Sequence, residues 1–414
     1  YTMLRAGNRR IAVLGLITPG IPNWLPKNLW PEMEFRDMVE TAREWVPVIM
    51  KREKPDLLVG LFHSGTDADY GGNPDPYLNE NAVLLVAGQV PGFDVIFAGH
   101  DHRVSIQWVP GPDGDSVLVV DPGSHARFAG EVTVSFGNGG HKTIEGQNIP
   151  MREFSPSREF MEHFSDDYEK VVHYLGDTIT WLSDDMRGVD ALFGPSSMLS
   201  LIHKVQLELS GADLSFTAPL SISATLNEGP VLVSDMFNLY RFENMLYTMR
   251  LSGEEIDRFL EYAAGIWFNT MTGPGDHLLQ FRSGETGRLA NTYYNFSSAA
   301  GIEYTINVSQ SPGNRVNISG FSDGRPFNPG ESYSVAINSY RGNGGGGHLT
   351  RGAGIPAGEL TGRIEWSTSM DLRYYLMQDL AAHDTLCPGT FNNWHISPES
   401  WAARASEEDR RFFE

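Results

Sequence analysis

Short apolar runs separated by a helical stripe constrain this chain most. Residues 11–17 (IAVLGLI), 56–62 (DLLVGLF), 93–98 (FDVIFA) and 117–120 (VLVV) are strand-sized and read as buried strands. Between the first two, Phe35, Met38, Val39, Ala42, Val46 and Ile49 recur at helical spacing over 34–51, with Pro47 as an expected kink. Residues 79–88 read as a second helix. Buried strands that alternate with helices build a layered α/β sheet.

Further along, 130–136 reads as a two-sided strand. Ser155-Pro156 opens a helix carrying Phe160, Phe164, Tyr168, Val171 and Leu175, and Gly176 stops it. Pro195 opens another that runs to Gly211. Ser252-Gly-Glu-Glu255 is a capping box ahead of Ile256, Phe259, Leu260 and Ala263. Strands are expected at 301–308 and 331–338, then the tract Gly342-Asn-Gly-Gly-Gly-Gly347. After about 386 periodicity fades and a polar tail is expected. A length of 414 residues suits two or three domains at ~150 residues each. The organisation read here is 1–150, a connector 151–195, a second domain 196–385 and a tail 386–414.

Composition excludes several partners. With 52 acidic and 31 basic residues the formal charge is −21, which disfavours duplex nucleic acid and a polybasic membrane anchor. No apolar run approaches the ~18 residues of a membrane span. The single cysteine, Cys387, excludes an internal disulfide and a cysteine zinc motif, and leaves the compartment open. The chain begins at Tyr1 and runs almost at once into a strand, so residue 1 is not expected to be the natural start.

Three histidines stand at strand ends. His63 follows one buried run, and His100 and His102 follow another in Gly99-His-Asp-His102. Carboxyl ends of parallel strands line the functional crevice of α/β sheets, which brings these imidazoles close together. Imidazole ligates Zn, Mn, Fe and related ions. Two such ions clamp a phosphoryl oxygen and supply hydroxide near neutral pH. Three histidines are too few for two metals, and no Asp-x-His or Asn-His follows a later buried strand. Asp67, Asp69 and Asp101 read as solvated loop acids, and His125 as structural.

Gly15-Leu-Ile-Thr-Pro-Gly-Ile-Pro-Asn-Trp24, His63-Ser-Gly65 and Pro91-Gly-Phe-Asp-Val-Ile-Phe-Ala-Gly-His-Asp-His102 resemble the second half of a calcineurin-like metallophosphoesterase domain. Ala212-Asp-Leu-Ser-Phe-Thr-Ala-Pro-Leu220, Phe242-Glu-Asn244, Tyr294-Asn-Phe296 and Asn338-Ser-Tyr-Arg-Gly-Asn-Gly-Gly345 resemble the C-terminal domain of the 5′-nucleotidase superfamily. Within it they look most like the bacterial 2′,3′-cyclic-nucleotide 2′-phosphodiesterase/3′-nucleotidase branch. The fold implied is the C-terminal part of a four-layer α/β/β/α metallophosphoesterase domain, then an α/β 5′-nucleotidase-type domain.

The resemblance implies a dinuclear centre of divalent ions (Mn, Zn, Fe, Mg or Co), with His63 and His100 on one ion and His102 on the other. It implies that Tyr294 and Tyr340 sandwich a nucleobase, with Asn244, Arg341, Gly344 and Gly345 as further substrate contacts. Aromatic faces stack on any base, which agrees with that role. The implied substrates are 2′,3′-cyclic nucleotides and 3′-nucleotides, and the implied location is the periplasm or cell surface. The family's first metal half-site and catalytic His are absent and are expected upstream of Tyr1. Pro219-Leu-Ser221 and Gly346 stand where the 5′-nucleotidase branch shows an Arg and an Asp. Two other readings compete: a 5′-nucleotidase or nucleotide-sugar hydrolase, and a non-catalytic nucleotide-binding surface protein with a degenerate metal site.

Overall fold

The apolar runs become one sheet. In the computed structural model it has six strands in the order β1-β2-β3-β4-β6-β5. These are β1 (Thr2–Ala6), β2 (Arg9–Ile17), β3 (Leu57–His63), β4 (Val95–Phe97), β5 (Val104–Pro110) and β6 (Ser116–Pro122). β2, β3, β4 and β6 are parallel neighbours, and β1 and β5 pair antiparallel at the two edges. The structure describes residues 1–413 except 24, 26–28, 69–74, 76, 138–140 and 283–286. It falls into two units, Tyr1–Glu162 and His163–Glu414.

In the first unit, helix α1 (Met38–Glu53) forms where the stripe predicts it, with Pro47 inside it. Asp37 caps its start by accepting from the Glu40 N–H at 2.9 Å. Met38, Val39, Ala42, Val46 and Ile49 pack with Ala12, Leu14, Leu58 and Phe62. The second helix, α2 (Val83–Gln89), starts later than predicted. Its expected first residues are held in a loop, because the Thr18 and Ser64 hydroxyls both donate to the Glu80 carbonyl at 2.8 Å. The two-sided strand is β7 (Phe128–Phe136), and it pairs with β8 (Lys142–Pro150), which sequence reading missed.

The expected helix after Ser155 forms as two pieces, Arg158–His163 and Ser165–Leu175, broken at Phe164. In the second unit a five-stranded sheet runs in the order Ser298–Ala300, Leu214–Thr217, Ser332–Asn338, Leu246–Ser252 and Ile364–Ser367. Helix Gly253–Trp267 packs with Phe216, Val335 and Ile337 in one cluster. Helices Ser197–Ser210 and Leu372–Ala381 pack with Leu246 and Ala336 in another. The capping box forms as read: the Glu255 N–H donates to Ser252 Oγ, and the Ser252 N–H donates to Glu255 Oε2.

Residues 386–414 depart from the expected tail. The strand Trp394–Ser397 pairs parallel to Ile302–Asn307, and the helix Glu399–Arg410 follows. Trp394, Ala402 and Ala405 enter the core, and buried Asp409 accepts from the N–H groups of Leu278 and Leu279 at 2.9 Å. The inward face of that helix is made of alanines and an aspartate, so its period is faint in sequence. Among the described residues, no helix is long and apolar enough to cross a membrane.

Candidate metal and nucleoside sites

β3 ends on His63, and its parallel neighbour β4 leads into Gly99-His100. Shared strand direction therefore puts both imidazoles at one sheet end, and their ring centroids lie 5.2 Å apart at 62°. Burial, with His100 and His102 close by, pushes the His63 pKa below the ordinary imidazole value. A neutral ring keeps a lone pair for a metal ion. His100 Nε2 lies 2.9 Å from Glu80 Oε1. Sequence reasoning placed Glu80 in the expected 79–88 helix and did not single it out. His100 and His102 hold φ of 96° and 60°, and His125 holds 61°. Left-handed backbone is uncommon in non-glycine residues and gathers at functional sites. The His125 ring stands 6.0 Å from that of His102.

Asp101 is not a solvated loop acid. Its Oδ2 accepts from the Thr66 N–H at 2.7 Å and the Thr66 hydroxyl at 3.1 Å, tying the two histidine-bearing loops together. Against the burial that would raise it, the N–H groups of Thr66 and Arg103 hold the Asp101 carboxyl below its usual range. Gly65 makes room for this tie, since a Cβ there would meet Asp101 Oδ2 at 2.7 Å. Behind it, burial pushes the Asp121 carboxyl up to about 6, opposed by the Gly123 N–H and reinforced by Asp101. Asp67 pairs with Arg103 at 2.9 Å. Asp69 and Trp24 lie outside the described residues.

The donors suit a divalent ion in kind and fall short in number. Among the described residues no three His, Cys, Asp or Glu side chains converge as a metal-binding group. His63 and His100 offer imidazole from one side, and first-row divalent ions accept imidazole.

In the second unit, Tyr340 follows strand Ser332–Asn338, and Tyr294 precedes strand Ser298–Ala300. Leu214–Thr217 lies between them, parallel to the first and antiparallel to the second. The end of one strand and the start of the other thus lie at one end of the sheet, about 10 Å apart across two strand spacings. The two rings meet edge to face, with centroids at 6.4 Å and planes at 83°. A base sandwich needs parallel rings. Edge-to-face is one of the two arrangements that aromatic pairs favour, and the parallel pose of a sandwich is not formed between these rings. Phe242 stands edge-on to Tyr294 at 6.4 Å.

The remaining expected contacts differ among themselves. Asn244 is buried, beside the Tyr240 hydroxyl. Gly344 holds φ of 98°. Gly345 lets the Tyr340 ring lie against the loop, since a Cβ there would meet Tyr340 Cε2 at 2.5 Å. Arg341 is buried, and its guanidinium faces protein oxygens.

Residues 179–351 match the family model described as the 5′-nucleotidase C-terminal domain. Among curated proteins, the chain is 25% identical to the trifunctional nucleotide phosphoesterase protein YfkN of Bacillus subtilis, over 94% of this chain and 28% of that protein. It is 24% identical to a 2′,3′-cyclic-nucleotide 2′-phosphodiesterase/3′-nucleotidase of Salmonella typhimurium, over 94% of this chain and 66% of that one. The chain thus spans less than two thirds of these relatives. Among solved structures, a Staphylococcus aureus protein assigned as a 5′-nucleotidase superposes with TM-score 0.75 at 23% identity, covering 95% of this chain and 74% of that one. A 5′-nucleotidase precursor of Thermus thermophilus gives 0.62 at 22%, covering 96% and 75%. These likenesses show that the chain shares the overall α/β fold of those proteins.

Proposed function

We propose, on the premise that the chain belongs to the 5′-nucleotidase superfamily, that it serves metal-dependent hydrolysis of nucleotide phosphoesters, with 2′,3′-cyclic nucleotides and 3′-nucleotides preferred. The observation that carries this reading is the convergence of His63 and His100 at adjacent strand ends. Divalent ions bound there would supply Lewis acidity at the phosphoester. His63 and His100 would hold one ion and His102 a second, while Glu80 orients His100 and Asp101 fixes the two loops relative to each other. Tyr294 and Tyr340 receive the base.

Gly346 supports the preference over 5′-nucleotides. It holds φ of 70°, and a Cβ there would meet Arg341 Nη1 at 2.0 Å, so an aspartate at this position, as in the 5′-nucleotidase branch, would have to displace the Arg341 guanidinium. The resemblance also supports a location in the periplasm or at the cell surface. The test is hydrolysis by a full-length product carrying this chain, loaded with Mn or Zn. Activity on 2′,3′-cyclic AMP and 3′-AMP above that on 5′-AMP supports the reading, and faster 5′-AMP hydrolysis supports a 5′-nucleotidase.

One observation favours a second reading, a non-catalytic nucleotide-binding protein. Among the described residues no three-donor metal group forms. Nucleoside binding without metal-dependent hydrolysis would select it.

A further inference from the structure

We propose that Arg341 is a positioning residue, which locks the turn bearing Tyr294 to the glycine loop beside Tyr340 and so sets the two rings for a nucleobase. The inference rests on the base-binding reading of these tyrosines. It changes the expected part of Arg341 from substrate contact to buried tie.

Arg341 is 4% exposed. Its Nη2 donates to the Tyr294 carbonyl at 2.7 Å, and its Nη1 donates to Asn295 Oδ1 at 3.1 Å and to the Gly345 carbonyl at 2.6 Å. Its backbone N–H donates to Asn338 Oδ1 at 2.9 Å, which holds the turn that starts the short helix Ser339–Gly342. The guanidinium carbon lies 5.3 Å from the Tyr340 ring centroid. One planar cation therefore touches the backbone of one tyrosine, the loop under the other and that second ring itself. Burying a guanidinium is costly unless its donors are met, and its rigid fork suits several acceptors at fixed angles.

Two neighbours strengthen the tie. His348 is fully buried, and its Nε2 lies 2.8 Å from the Asn295 carbonyl. Burial, with the Arg341 charge beside it, holds His348 well below the ordinary imidazole range, so a neutral ring donates its Nε2–H to that carbonyl. The turn Tyr293–Asn295 is thus held at the Tyr294 carbonyl, the Asn295 side chain and the Asn295 carbonyl. Gly346 is the second neighbour. A Cβ there would meet Arg341 Nη1 at 2.0 Å and Asn295 Oδ1 at 2.3 Å. The glycine run, which reads as a flexible turn in sequence, is a fitted seat for this cation.

The experiment is calorimetric titration of adenosine into the purified chain, alongside Arg341→Met, Arg341→Lys, Gly346→Ala, Tyr294→Ala and Tyr340→Ala. Near-ultraviolet tyrosine dichroism reports ring geometry, and far-ultraviolet dichroism reports folding. Arg341→Met should weaken adenosine about tenfold or more while far-ultraviolet dichroism holds, and Arg341→Lys should recover part of the loss. Gly346→Ala displaces the guanidinium without removing it, so it should weaken binding too, and it carries the test if Arg341→Met does not fold. Both should shift the tyrosine dichroism. If Arg341→Met and Gly346→Ala bind within about twofold of the parent while Tyr340→Ala loses binding, the positioning role is wrong and the base reading stands. If both tyrosine variants bind like the parent, or the parent does not bind adenosine, the base reading fails and takes this inference with it.

Discussion

The imidazoles of His63 and His100 stand 5.2 Å apart at 62°, brought together by the parallel pairing of β3 and β4. If they hold a divalent ion, His63→Ala and His100→Ala should each weaken Mn2+ or Zn2+ binding to the chain at least about tenfold by calorimetry. Burial and the neighbouring histidines push the His63 pKa down, so its ligand form persists at neutral pH. Metal affinity unchanged in both variants would remove these residues from the site.

Glu80 should matter almost as much. It holds His100 Nε2 at 2.9 Å, and its own backbone is pinned by Thr18 and Ser64. Losing a partner that orients a metal-binding imidazole costs ~10–100-fold in affinity. Glu80→Gln should keep part of the binding and Glu80→Ala should lose more. Equal affinity in Glu80→Ala and the parent would contradict the role.

Asp121 makes a signed pH prediction for the first unit. Burial raises its carboxyl to about 6 in the folded chain, above the ordinary 3.8. Its stabilising contribution is full below the ordinary value and is lost as pH rises through about 6. Asp121→Asn should therefore melt higher than the parent at about pH 7.5, and the gain should shrink toward about pH 4. A gain that grows on acidification would refute the assignment.

His203 makes the opposite prediction for the second unit. It is fully buried between Ser215 Oγ at 3.0 Å and Ser298 Oγ at 3.3 Å, and burial lowers its pKa to about 3. The unfolded chain binds a proton that the folded chain refuses, so stability is intact above about 6.5 and declines as pH falls toward 3. The loss is up to about 1.4 kcal/mol per pH unit across that window. Urea unfolding at about pH 7 and pH 4.5 should show it, and His203→Gln should flatten the slope.

Much of this was legible because buried periodicity is strong where it matters. The runs that became β2, β3 and β4 are apolar along their length, and β3 ends on the histidine that sequence singled out. The Ser252–Glu255 box was legible because capping is local chemistry. What stayed hidden depends on distant partners. β8 (KTIEGQNIP) has too few apolar residues to mark a strand until β7 pairs with it. The helix Glu399–Arg410 buries mainly alanines and an aspartate whose acceptor role appears only beside Leu278 and Leu279. Asp101 reads as a loop acid and Glu80 as part of the expected 79–88 helix, because the groups they bind come from other loops. Arg341 looked available to a ligand, because sequence does not show that its fork is already filled.

The most direct measurement compares rates on 2′,3′-cyclic AMP, 3′-AMP and 5′-AMP for a full-length product carrying this chain, with Mn2+ present and with Mn2+ removed by a chelator. The account predicts metal-dependent hydrolysis of the first two at rates above that for 5′-AMP. Hydrolysis of neither of the first two in the presence of Mn2+ would contradict it.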